Sequence, residues 1–195
     1  LGGAEAPTVE EPRLLAAAAA LLRLLGRLEA ALAVLLILFV TLAIAASVLF
    51  RYGFAAPLIW VEEAVTIAFI WTTMLGAAVA AKMDRHVTIA ALGTLLGGRG
   101  RLLLEILVRG TVLVVAAVLA RHCLDYVGMQ NRSTTVSLPV ALPRGWVFSI
   151  PTFVAMLSIA LTQAVLLADA VARLVPPGAA RAPVRLLEAP RLAEP

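Results

Sequence analysis

The sequence predicts an all-α integral membrane protein with four transmembrane helices, both termini cytoplasmic, and short interfacial helices alongside. Three observations predict it. Hydrophobic residues make up 62% of the 195-residue chain and charged residues 14%, against roughly 45–50% and about 25% in soluble domains. Four apolar stretches each approach the roughly 20 residues needed to cross a hydrocarbon core. Threading them alternately puts most Lys and Arg residues on one side, as expected of cytoplasmic loops. So little chain lies outside these stretches that no separate soluble catalytic or binding domain fits.

The opening LGGAEAPTVEEP is acidic, small and proline-bearing, and reads as a tail ending at Pro12. It lacks the basic start of a signal peptide, so targeting is expected from the helices themselves. Residues 14–28, LLAAAAALLRLLGRL, are interrupted by Arg23, Gly26 and Arg27. They form either a lead-in helix lying at the interface or an N-terminal extension of the first span. The spans follow at about 28–49, 58–81, 102–126 and 145–168. Between the second and third, KMDRHVTIAALGTLLGGRGR holds the ten-residue stretch VTIAALGTLL, flanked by charges and closed by GGRG, the pattern of a short interfacial helix rather than a fifth span. The domain reading is therefore 1–27 as tail and lead-in helix, 28–172 as the four-helix membrane domain, and 173–195 as a proline-rich cytoplasmic tail that cannot fold alone.

Orientation rests on counting cations. Arg13, Arg23, Arg27, Lys82, Arg85, Arg99, Arg101, Arg173, Arg181, Arg185 and Arg191 fall on one side, and Arg51, Arg132 and Arg144 on the other. The excess places both termini in the cytoplasm. Phe50, Tyr52, Phe54, Trp60, Tyr126, Trp146 and Phe148 cluster at the outer ends of spans, where interfacial aromatics belong. No internal repeat is visible, which counts against a self-sufficient carrier. The net charge of +4 does not indicate nucleic acid, because the cations are dispersed among apolar segments. The one cysteine, Cys123, excludes an intramolecular disulfide and a multi-cysteine metal site, leaving packing as its role.

The densest polar constellation is RYGFAAPLIWVEEA, which leaves the first span at Arg51, turns at Pro57 and starts the second span with Trp60, Glu62 and Glu63. Carboxylates in a first helical turn gain from the positive end of the helix and can reach Arg51 or water. Adjacent positions point about 100° apart, so the two cannot work as a facing pair. One reading has one glutamate capping the helix and the other meeting water or headgroups; the functional reading is contact with another subunit or an ion. Catalysis is disfavoured because no nucleophile, second acid or metal-ligand cluster is near.

Along the second span, Glu62, Thr66, Phe69, Thr73, Gly76 and Ala80 share helical spacing, and Gly76–Ala80 is a small-xxx-small step. It suggests a packing face, in the first instance one internal to the bundle. Lys82, Asp84, Arg85 and His86 are expected together at the cytoplasmic surface, where headgroup contact, helix termination or subunit docking fits better than metal binding by a single imidazole. The third span pairs Glu105 with Arg109 and Arg121 with Asp125 at i,i+4. Such pairs border a tilted span or face a partner. At depth the fourth span offers Ser158, Thr162 and Gln163, with Pro139 and Pro143 before it and Pro151 expected to tilt its start.

Taken together, RYGF before PLIWVEEA, the continuation FIWTTMLGAAVAAKMDRHV and the late segment STTVSLPVALPRGWVFSIP resemble the small membrane subunit of tripartite ATP-independent periplasmic (TRAP) transporters, the DctQ-like family. The resemblance spans about 28–173. It implies a bacterial inner-membrane protein that pairs with a large permease subunit and a periplasmic substrate-binding protein. It also implies sodium-coupled uptake of an organic acid such as a dicarboxylate or sialic acid, with substrate and sodium sites on the large subunit. The small subunit is then a scaffold for a moving transport domain, with no catalytic, cofactor or metal site of its own. The matching positions are Arg51, Tyr52, Phe54, Pro57, Trp60, Glu62, Glu63, Gly76, His86, Pro139 and Trp146, as interface or structural residues. The runner-up is a self-associating channel or small carrier in which Glu62 or Glu63 forms a carboxylate ring.

Overall fold

A computed structural model of the chain describes residues 13–83, 98–174 and Leu186. Its order is α1 (Arg13–Gly53), α2 (Ile59–Lys82), α3 (Gly98–Gln130), a single π-helical turn (Gly145–Ser149) and α4 (Ile150–Leu174). Among the described residues, four helices are long and apolar enough to cross a membrane. They form two antiparallel hairpins, α1–α2 and α3–α4, joined chiefly where α2 packs on α4. Below, the hairpin end is the one carrying the loops 54–58 and 131–144; the terminal end carries the start of α1 and the end of α4.

α1 runs unbroken for 41 residues, about 61 Å at 1.5 Å per residue. Its Ala- and Leu-rich composition favours helix throughout, so the lead-in segment and first span are one helix. That length is about twice a hydrocarbon core. The overhang is not bare. Ala19 and Leu22 are buried with Leu166 of α4 and with Leu186. The short interfacial helix expected after α2, along with Asp84, Arg85 and His86, lies outside the described residues.

Each turn has a local cause. After α1, the Phe54 and Ala56 amides both donate to the Phe50 carbonyl, with Ala55 in the left-handed region at φ 52°. Pro57 then fixes the chain in extended form before α2. Before α4, Pro151 has no N–H to give the carbonyl four residues back. The chain adapts one residue upstream, where the Ile150 amide reaches Gly145 in an i→i−5 bond that closes the π turn. Gly145 itself is required by crowding, because a Cβ there would sit 2.7 Å from the Val127 carbonyl oxygen and closer still to the Asn131 side chain. The α3–α4 turn can therefore close tightly only on glycine.

Candidate functional site

Two polar constructions join the hairpins. At the hairpin end, Glu63 on α2 reaches into the 131–144 loop. Its Oε2 accepts the amides of Ser137 at 2.7 Å and Leu138 at 3.1 Å, and Oε1 accepts Val136 at 3.2 Å. Three successive backbone N–H groups around one carboxylate form an anion cradle. The loop is shaped for it. The Thr135 amide donates to Leu142 and the Arg144 amide to Ser133, both at 2.9 Å. The Thr135 hydroxyl, meanwhile, accepts from the Leu142 amide and donates to the Val140 carbonyl. Ser149 in the π turn donates to the Gln130 side chain at 2.8 Å, fixing the loop's other root.

Glu62 points elsewhere. It meets Arg51 of α1 at 3.4 Å, with both side chains more than half exposed. Arg51, Glu62 and Thr66 line a cleft of about 440 Å³ together with Ile44, Ser47 and Val48. Neither glutamate caps α2 by side chain, whose start has no such bond. One is spent on a loop and the other on a neighbouring helix. The roughly 100° between their directions is what allows it.

The second construction lies deep between helices. Lys82 Nζ donates to Glu29 Oε2 of α1 at 2.6 Å and to Ser158 Oγ of α4 at 2.5 Å, while Ser158 donates to Glu29 Oε1 at 2.6 Å. The triangle ties three helices, with Lys82 at 0% and Glu29 at 5% exposure. This corrects the expectation that Lys82 joins a cytoplasmic surface cluster. Lys82 closes the buried α2 stripe of Leu75, Ala78 and Val79, a helical spacing visible in the sequence. Glu29 was missed as a site residue altogether. The signal was a lone carboxylate one residue inside an apolar span, which demands a partner. Beside the triangle, the Thr162 hydroxyl turns onto the Ser158 carbonyl at 2.8 Å.

A third group of charges lies within the α3–α4 hairpin toward the terminal end. Glu105 Oε1 receives Arg109 at 2.9 Å and Arg173 at 3.0 Å, and Arg173 Nε lies 3.1 Å from Asp169. The Glu105–Arg109 pair thus faces α4. By contrast, Arg121 and Asp125 pair at 3.1 Å on an exposed surface. The two i,i+4 pairs of α3 have opposite surroundings.

Among the described residues, Gly76 has no packing partner. A Cβ there would meet nothing within 4 Å, and Glu62, Thr66, Phe69, Thr73, Gly76 and Ala80 are all exposed. The stripe faces away from the bundle, correcting the internal-packing reading. Its threonines are satisfied on their own helix, Thr66 on Glu62 and Thr73 on Phe69, so it presents a smooth surface with no unmet polar demand. Of the other expected positions, Tyr52, Phe54, Trp60 and Trp146 are exposed aromatics at the hairpin end, as an interfacial belt requires. Pro57 and Pro139 are exposed loop residues. Among the described residues no group of three or more His, Cys, Asp or Glu could hold a metal ion.

Four apolar helices held by buried charge, with the PLIWVEEA segment clasping the STTVSLPVALPRGW loop, agree with comparison to known families. The family model described as "Tripartite ATP-independent periplasmic transporters, DctQ component" matches residues 40–173. The chain belongs to the DctQ family. It is a small, multi-pass membrane subunit of a TRAP transporter. The match takes in the clasp, the α2 stripe and the charges of α3 and α4, and begins after Glu29. No curated protein gives a match to the chain.

Proposed function

We propose that this DctQ chain is the scaffold subunit of its transporter, lying in a bacterial inner membrane with both termini cytoplasmic. In this reading it holds a large permease subunit that performs sodium-coupled uptake of an organic acid delivered by a periplasmic binding protein. Family membership carries the proposal. The outward α2 stripe supports it: Thr66, Thr73, Gly76 and Ala80 let another helix approach closely, and van der Waals packing of small residues is the main force between helices in lipid. A scaffold also has to be rigid, and the charges of Glu29, Glu63, Lys82, Glu105 and Arg173 are all engaged by other parts of the same chain. The sodium and substrate sites belong to the large subunit.

The test separates folding from docking. Gly76→Leu adds a bulky side chain where this chain has open space, so the variant is expected to fold and insert normally while losing the co-purifying large subunit and transport together. Full transport by a Gly76→Leu, Thr73→Leu variant would remove the stripe from the docking surface.

A further inference from the structure

Apart from the Glu63 clasp, whose grip is on the irregular 131–144 loop, the hairpins meet through helix surfaces with little to choose one seating over another. On the α2 side the buried positions include Ala68, Leu75 and Ala78, and on α4 they include Ala155, Leu166 and Ala170. Between helices in lipid, apolar surfaces have no hydrophobic drive to associate. Ridges of small side chains fit at offsets of one turn, about 5.4 Å, with similar contact. Within the first hairpin the short 54–58 turn fixes α1 against α2. Between hairpins no comparably short connection exists.

We infer that the Glu29–Lys82–Ser158 triangle selects the one seating of the first hairpin on the second. Its three bonds run among four atoms, with each Glu29 oxygen used once and the Lys82 ammonium and the Ser158 hydroxyl used twice each. Ser158 is the sole α4 member. Sliding α4 by a turn in one direction puts Val154 or Ala155 opposite the ion pair, and neither has a hydrogen-bonding side chain. Sliding it the other way brings up Thr162, whose oxygen could accept from Lys82 but whose proton is given to the Ser158 carbonyl and is not there for Glu29. Either slip leaves a charged pair short of a partner in a low-dielectric interior, where polar groups are expensive to strand. The triangle is a discriminator more than a source of net stability, since a buried ion pair replaced whole by apolar side chains of similar volume is often neutral or stabilising. A lone buried polar residue fixes register in coiled coils by the same logic.

Cross-linking in native membranes tests this. In a Cys123→Ser background, Leu22→Cys is combined in turn with cysteine at 162, 166 or 170. Because Leu22 and Leu166 share one buried cluster, the 166 pair should dominate in the otherwise unaltered protein. Replacing the pair whole, as Glu29→Met with Lys82→Met, should leave the amount of inserted protein unchanged. It should also lower the yield at 166 relative to 162 and 170 by about tenfold, as loss of a penalty for misplacing charge predicts. An unchanged preference for 166 would overturn the inference. So would loss of inserted protein in the apolar variant, because the triangle would then supply stability rather than selection.

Discussion

The two bolts between the hairpins differ in almost every physical respect. At the hairpin end a glutamate holds three backbone amides of a loop at the protein surface. Deep between the helices a lysine, a glutamate and a serine hold one another. The Glu63 clasp orders a segment that has no regular structure of its own. The Lys82 triangle ties together segments that are already helices. A carboxylate near water can lose its partner and be rehydrated, whereas a buried ion has no such refuge. Loss of a single partner should therefore be tolerated at the first site and severe at the second.

The largest expected effect follows directly. Lys82→Met alone leaves Glu29 buried with only Ser158, and removing one member of a buried pair costs about 3–5 kcal/mol. The yield of monodisperse protein after mild solubilisation should fall sharply and recover when Glu29→Met is added. Wild-type yield from the single variant would erase the distinction between the sites. Gly145→Ala comes next, because its Cβ collides with the Val127 carbonyl and the Asn131 side chain. A loss of about 1–3 kcal/mol is expected from such overpacking, read as a lower unfolding temperature with the hairpin end exchanging amide protons fastest.

Glu63→Ala should act more locally. Amide exchange at 136–138 should rise while helix protection between α2 and α4 stays as it was; a global loss of protection would make the clasp a core element and not a loop fastener. Arg51→Ala should change the isolated chain's stability by less than about 1 kcal/mol, since exposed ion pairs contribute little. Smallest of all is Gly76→Ala, where open space receives the methyl group. The isolated chain should unfold at the wild-type temperature or slightly above it, given alanine's better helix propensity.

The same contrast explains what the sequence made legible. Span number follows from hydropathy and length, and the i,i+4 pairs of α3 from spacing. Glu63 stood out because two carboxylates beside a turn are conspicuous, although its loop partner lies some 73–75 positions away and backbone amides leave no trace in composition. The triangle was harder. Lys82 sits beside Asp84, Arg85 and His86 and resembles a surface cluster until its spacing from Leu75, Ala78 and Val79 is weighed. Its partners are 53 and 76 positions away, and a single-residue pattern cannot pair them. Gly76 failed in the opposite direction. A small-xxx-small step announces close approach by a helix without saying whether that helix belongs to the same chain.

The scaffold role is tested most directly by the mass of what this chain holds in its native membrane. Tagged, gently solubilised and weighed intact, it should carry a stoichiometric, much larger multispan protein, and Gly76→Leu should release that protein without changing the fold. A particle made only of copies of this chain would contradict the account and favour a homo-oligomeric pore lined by Glu62.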